Sequence, residues 1–347
     1  MQNFFQQYNI PISLVISLLP ALGWIFLILY FRHREKKKFI WICFLLGGAS
    51  VVVVFGLQSF LLMDPNYNIN VLLENTFQSA TLFFLMFFTV MGAIEEIIKF
   101  LIVKILDKKY FLIQTINISI IFSVVTALGF ATVENMIYFS TLLSGGLLEN
   151  FWGTYIFRTM FSTLGHVLFS AVFGYYYGVS KFSQTILMQE KILGKVFKLT
   201  KIIEKITKGT LQDIYREQKI MKGLIFACFF HMLFNFLIQL QQLLLVFLLL
   251  FGLVIYVIFL FRTKTGHLVF METKAWSPYY LAPSNQKLLG RLLDMWHAER
   301  YDEVEKTCND ILLVDPMNDV VKLFRAQALD KQEMKKGLDK VAHIFHK

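Results

Sequence analysis

Nine residues that can do acid–base chemistry or bind charge fall inside long apolar runs of this chain: Glu95, Glu96, Lys99, Glu134, Asn135, Arg158, His166, His231 and Asn235. An ionisable group at membrane depth is costly unless it is paired or faces a wet cavity, so each marks a candidate functional site. Lys99 stands four residues from Glu95 and three from Glu96, so at helical pitch one ammonium reaches either carboxylate. The two glutamates are about 100° apart on a helix, which predicts that they aim differently. A structural ion pair locking two helices would explain this stretch alone equally well. On the same structural reading Glu134 would pair with Lys99 or Arg158, and His166 would bond a neighbouring backbone carbonyl. His231 and Asn235, at i and i+4 on one helix face, would serve as interhelical glue. What favours a shared polar cavity is repetition, since four consecutive apolar runs each carry such a group.

Carboxylates, imidazoles and an amide are together the parts of a hydrolase. A carboxylate can deprotonate water for attack on a carbonyl, and neutral Asn and His can donate to the developing oxyanion. Two histidines with carboxylates are also adequate zinc ligands, and a metal-dependent form would use Glu95, His166 and His231. The soluble signature His-Glu-x-x-His is absent, so spacing alone gives zinc no support and the expectation favours no cofactor.

The elements that must hold these residues follow from composition. Of 347 residues 56% are hydrophobic, 37 are Phe, and the mean hydropathy is +0.57, which describes repeated apolar runs of membrane length rather than a soluble domain. The expected fold class is all-α, a polytopic bundle of about seven spans. They lie near Ile10–Phe31, Phe39–Met63, Phe77–Val103, Phe111–Leu143, Tyr155–Val179, Gly223–Leu240 and Leu243–Phe261. The fourth is too long for a straight crossing, and Gln114, Thr115, Asn117 and Ser119 predict that its first turns lie at the interface. The formal net charge of +10 follows topology rather than nucleic-acid binding: 32 of the 34 Lys and Arg fall in links on one side. Only Lys99 and Arg158 lie within predicted spans. That pattern places the N-terminus outside and the tail in the cytoplasm. On these boundaries Glu95 and His231 come out roughly 13 Å from the cytoplasmic ends of their spans, with Glu134 much nearer the outside.

The ordered set of motifs carries a family resemblance. Glu-Glu-x-x-Lys (Glu95, Glu96, Lys99), Phe-x-x-x-Glu-Asn-x-x-Tyr (Phe130, Glu134, Asn135, Tyr138), the mid-span His166 and His-x-x-x-Asn (His231, Asn235) resemble the motif series of PrsW-type intramembrane proteases. These share a superfamily with the type II CAAX prenyl endopeptidases, and the resemblance covers about 77–240. It implies a multi-pass protein of the bacterial cell membrane that cleaves membrane-anchored proteins, anti-sigma factors among them. By analogy with the CAAX enzymes, Glu95 would activate water while His231 and Asn235 stabilise the oxyanion. Those relatives commonly carry histidine where Glu134 stands, which leaves Glu134 and His166 as alternatives for the partner of Glu95. Glu96 would tune or position that base, and Lys99 would balance charge. Two rival readings are a catalytically inactive scaffold, as in the anterior-pharynx-defective subunit of gamma-secretase, and a proton-coupled transporter. Retention of the glutamates, histidines and Asn235 disfavours the first, and the absence of paired broken helices disfavours the second.

Outside the resemblance lie a loop, 181–222, and a tail. In the loop Lys191, Lys195, Lys198, Lys201, Lys205 and Lys208 run beside Leu193, Val196, Phe197, Ile203 and Ile206, the pattern of a helix on the anionic inner leaflet. The expected layout is a membrane domain over 1–262, a linker over 263–284, and a helical tail over 285–347. Arg300–Asn318 resembles the second helix and closing turn of a tetratricopeptide repeat. Leu288, Leu289, Leu292 and Leu293 would supply the helix before it, and Val320 to Leu329 the one after. One and a half repeats leave a face to bury, which predicts a protein partner or docking on the membrane domain. Cys43, Cys228 and Cys308 offer no disulfide framework, and residues 1–10 lack the charge of a cleavable signal peptide.

Overall fold

A computed structural model describes residues 9–31, 37–63, 68–110, 113, 115–146, 148–182 and 209–266, and in the tail 291–292, 294–296, 298–314, 316, 321–322, 324–333 and 335. Among these residues every regular element is a helix. In chain order they are α1 (Asn9–Phe31), α2 (Lys37–Met63), α3 (Ile69–Thr76), α4 (Ala80–Tyr110), α5 (Ile116–Ser144), α6 (Leu148–Phe157), α7 (Thr163–Lys181), α8 (Leu211–Gln239), α9 (Leu243–Gly266) and α10 (Tyr301–Val314). A π turn, Arg158–Ser162, joins α6 and α7 into one continuous crossing. Seven helical segments are long and apolar enough to span a membrane, and they coincide with the seven runs read from the sequence. The physical reason is that lipid offers the backbone no partner, so each apolar run must close its own hydrogen bonds. The basic membrane-surface loop, the linker beyond Gly266 and the closing turn at Asn318 lie outside the described residues.

α5 is the axis of the bundle: its most apolar window is 89% buried, against 22% for α1 and for α9. Large side chains such as Phe26, Val52 and Leu244 are exposed on the outer helices, as contact with lipid tails requires. Two close approaches draw neighbours onto α5. A Cβ on Gly129 would stand 1.9 Å from the Phe44 carbonyl oxygen, and one on Gly47 would stand 2.0 Å from that of Thr126. Only glycine lets α2 and α5 meet at that distance. On another face a Cβ on Gly174 of α7 would lie 2.8 Å from Ile120 Cα, and Ser119 Oγ donates to the Gly174 carbonyl at 2.7 Å. Thr115, Asn117 and Ser119 are buried in protein. A polar group at that end of α5 is satisfied by a neighbouring helix as readily as by water.

α4 and α8 also run further than their apolar runs, toward ends that carry Lys and Arg. α8 starts at Leu211 behind a Thr210 cap, where Thr210 Oγ1 accepts from the Asp213 amide at 3.1 Å. α8 and α9 are joined by a tight turn in which Gln241 takes φ 56° and the Gln242 amide returns to the Leu237 carbonyl at 2.9 Å.

The chain forms two compact units, one over 1–112, 118–175 and 221–258, the other over 113–117, 176–220 and 259–347. In the second, the tail builds its own apolar core from Leu292, Val304, Cys308, Val321, Phe324 and Ala328, flanked by Trp296 and Tyr301. α10 ends before Pro316, which disfavours helical geometry in the residue preceding it.

Candidate active site

Four helices of the first unit bring their polar groups to one level. Glu95 lies 15 residues from Tyr110, His166 15 from Lys181, Glu134 18 from Ile116 and His231 20 from Leu211. The site is thus roughly 22–30 Å from the cytoplasmic helix ends.

On the α4–α8 side, Lys99 Nζ donates to Glu96 Oε1 at 2.8 Å and stands 3.8 Å from Glu95 Oε2. The same Glu96 oxygen faces His231 Nδ1 at 2.8 Å, while His231 Nε2 lies 3.6 Å from Glu95 Oε2. The two glutamates therefore converge on one imidazole from its two edges, although their backbone directions diverge. Phe169 stacks on that ring at 5.3 Å and fixes its plane. Glu95 Oε2 is buried and has no hydrogen-bond partner. A buried, unsatisfied carboxylate oxygen calls for an explanation.

On the α5–α7 side, Lys99 Nζ lies 3.0 Å from His166 Nδ1, and His166 Nε2 lies 3.0 Å from Glu134 Oε2. An ammonium can only donate, so Nδ1 accepts and the ring proton stands on Nε2, donated to Glu134. The Lys99 ammonium also sits 4.1 Å over the Phe130 ring. Arg158 pairs with Glu134 Oε2 at 3.1 Å and donates through Nε to Asn135 Oδ1 at 2.8 Å. Asn135 Nδ2 in turn donates to Thr163 Oγ1 at 3.1 Å.

The two imidazoles, whose ring centres are 5.1 Å apart, are thus held alike. Each gives one nitrogen to a carboxylate, His231 to Glu96 and His166 to Glu134, while the other nitrogen of His231 faces Glu95 and that of His166 meets Lys99. Carboxylate-anchored imidazoles of this kind are typical metal ligands. Donor atoms of Glu95, His166 and His231 all lie within 4.8 Å of one another. An oxygen and a nitrogen on one tetrahedral zinc stand about 3.3 Å apart, close to the His231–Glu95 separation. The donor set fits a divalent metal, on the condition that Lys99 leaves His166 Nδ1 and keeps its shorter contact with Glu96.

Eight of the nine sequence-predicted residues meet in this network. Asn235 does not: it is half-buried one turn beyond His231 and makes no hydrogen bond among the described residues. Thr163 and Phe169 were not singled out from sequence. Thr163 had a readable signal as a hydroxyl one turn before His166, whereas the stacking of Phe169 had none, since Phe is common throughout this chain.

Paired carboxylates and imidazoles sealed among membrane-length helices are the parts of an intramembrane hydrolase. Residues 35–200 match the family described as PrsW family intramembrane metalloprotease. The chain is similar to the protease PrsW of Shouchella clausii (strain KSM-K16), at 28% identity over 188 residues, covering 53% of this chain and 78% of the relative. It is also similar to the protease PrsW of Clostridioides difficile (strain 630), at 32% over 153 residues, 44% of this chain and 58% of the relative. With that of Geobacillus kaustophilus (strain HTA426) it shares 39% over 64 residues, 18% and 25% of the two chains. No solved structure matches the chain. The family match ends before α8, so the place of His231 in the site rests on geometry.

Proposed function

We propose that the chain is a metal-dependent intramembrane endopeptidase that hydrolyses a peptide bond in membrane-anchored protein substrates. Glu95, His166 and His231 would hold the metal. The observation that carries this reading is the unpartnered Glu95 oxygen, faced by two imidazoles that are each anchored on a separate carboxylate. When bound, a divalent metal would polarise the scissile carbonyl and let water attack at neutral pH. Glu96 and Glu134 keep the ring protons pointing away from the reacting centre. Lys99 balances the charge of Glu95 and Glu96, and Asn235, one turn from His231, is available to donate to the substrate carbonyl. The surrounding aromatic side chains exclude bulk water, which strengthens each of these interactions.

One contact favours a second reading, hydrolysis by glutamate-activated water without metal: Lys99 occupies His166 Nδ1, the nitrogen a metal would need. Purified protein with a single-pass substrate separates the two. Under the first reading chelation abolishes cleavage and zinc restores it, and under the second neither treatment matters. Glu95→Gln and His231→Ala abolish cleavage in either case. Variants that cut like the parent would overturn both readings.

A further inference from the structure

We infer that Arg158 is a positioning residue of this site, acting through Glu134 on the orientation of His166. The inference rests on the reading of Glu95, His166 and His231 as the reacting cluster. It starts from the π turn. The Arg158 carbonyl receives both the Thr163 amide and, at 3.0 Å, the Thr163 hydroxyl, an i+5 closure that inserts an extra residue into the crossing just before His166. Such bulges are frequent at functional sites. Here the bulge presents Arg158 to one face of α5, where it engages three residues at once. Its Nε donates to Asn135, its Nη2 forms an ion pair with Glu134 without hydrogen-bond geometry, and its guanidinium lies 3.6 Å over the ring of Tyr138. The spacing Glu-Asn-x-x-Tyr is therefore a receptor for one planar cation.

A guanidinium stays charged in a protein and does not act as a proton carrier, so its contribution here is placement. Glu134 Oε2 is shared between Arg158 at 3.1 Å and His166 Nε2 at 3.0 Å. Fixing that oxygen fixes the acceptor of the ring proton, and with it the nitrogen that faces Glu95. Lysine cannot reproduce the arrangement, since a single ammonium lacks the fork that spans Asn135 and Glu134.

A purely structural staple between α5 and the π turn would predict a different mutational pattern. The test uses the full chain in lipid nanodiscs as the parent, Arg158→Gln, Glu134→Gln and the double variant. The readouts are kcat and KM on a single-pass substrate, and zinc affinity by competition with a chromophoric chelator. Arg158→Gln is expected to lower kcat and weaken zinc binding roughly 10–100-fold, with KM little changed. The double variant is expected to be no worse than the poorer single. If Arg158→Gln matches the parent, or if the two losses multiply, the inference is overturned. Should Arg158→Gln not fold, Arg158→Lys carries the same cycle, because it keeps the charge and loses the fork. A parent that cleaves with chelator present and binds no zinc refutes metal dependence, and the kcat cycle still decides Arg158. A parent that neither cleaves nor binds zinc removes both.

Discussion

At the scale of single residues, the carboxylates separate by what each one touches. Glu95 has an unpartnered oxygen turned to the two imidazoles, whereas Glu96 and Glu134 are committed to one ring nitrogen apiece. Glu96→Gln is therefore expected to keep a trace of cleavage, roughly 10–100-fold below the parent, because an amide still contacts His231 but holds it less firmly. Glu95→Gln removes the reacting group itself, and its rate is expected at the uncatalysed background in the same assay. Lys99 differs again. It is the only Lys or Arg within reach of both α4 glutamates among the described residues, at 2.8 Å and 3.8 Å. In zinc-free protein Lys99→Met is expected to destabilise the fold by about 3–5 kcal/mol, the cost of leaving a buried charge unpaired. Thermal unfolding in detergent with and without zinc measures it, and zinc is expected to restore part of the loss. The residue types were legible in the sequence. The pairing was not, because angular separation on α4 does not reveal that one imidazole can be met from two edges.

At the scale of elements, glycine contacts determine how near α2 and α7 come to α5, and so where Glu134 sits relative to Glu95. Gly129, five residues before Glu134, has the Phe44 carbonyl where a side chain would be. Gly129→Ala is expected to cost about 1–3 kcal/mol or more, because neither backbone can yield without parting the helices. Gly56 on the same α2 has nothing within 4 Å, so Gly56→Ala is expected to be neutral or to gain about 0.5–1 kcal/mol. Opposite shifts in the unfolding midpoint of the two variants would separate close packing from helix propensity. The seven crossings were readable because lipid forces an apolar run into a helix. The partner of each glycine was unreadable, since small residues mark a contact without naming the helix across it. The tail offers a similar contrast. Its apolar spacing was legible, and its core buries Cys308, whose thiol burial pushes up to about 12. Thiolate at neutral pH then falls roughly a thousandfold below that of a free cysteine. A maleimide is expected to leave Cys308 unmodified in the folded chain and to modify it once the tail is unfolded by urea, as read by peptide mass mapping.

At the scale of the whole molecule, charge and depth together set where a substrate would be cut. Basic residues mark one set of helix ends: Lys37 opens α2, Lys108 and Lys109 close α4, and Lys181 closes α7. The positive-inside rule puts these ends in the cytoplasm, an orientation that the sequence carries without any structure. From the opposite ends, Glu134 lies 10 residues from Ser144 and His231 8 from Gln239. At 1.5 Å per residue that is roughly 12–15 Å. The hydrocarbon core is about 30 Å thick, so the cluster stands at its middle or in its outer half. A substrate helix would have to expose a peptide bond at that height, where water is scarce and an intact helix hides its carbonyls. The scissile bond is therefore expected in the outer half of the substrate's membrane segment, near residues that loosen a helix, such as Gly or Pro. Sequencing the new N-terminus of the membrane-retained product by mass spectrometry locates it. Moving a Gly-Pro pair along a model single-pass substrate should move the cut only within that outer half. A bond cleaved at the cytoplasmic end would refute either the orientation or the assignment of the cluster. Labelling exposed positions in intact cells tells these apart: under this orientation Glu74→Cys and Gln242→Cys react with an impermeant maleimide, while Lys108→Cys and Glu217→Cys do not.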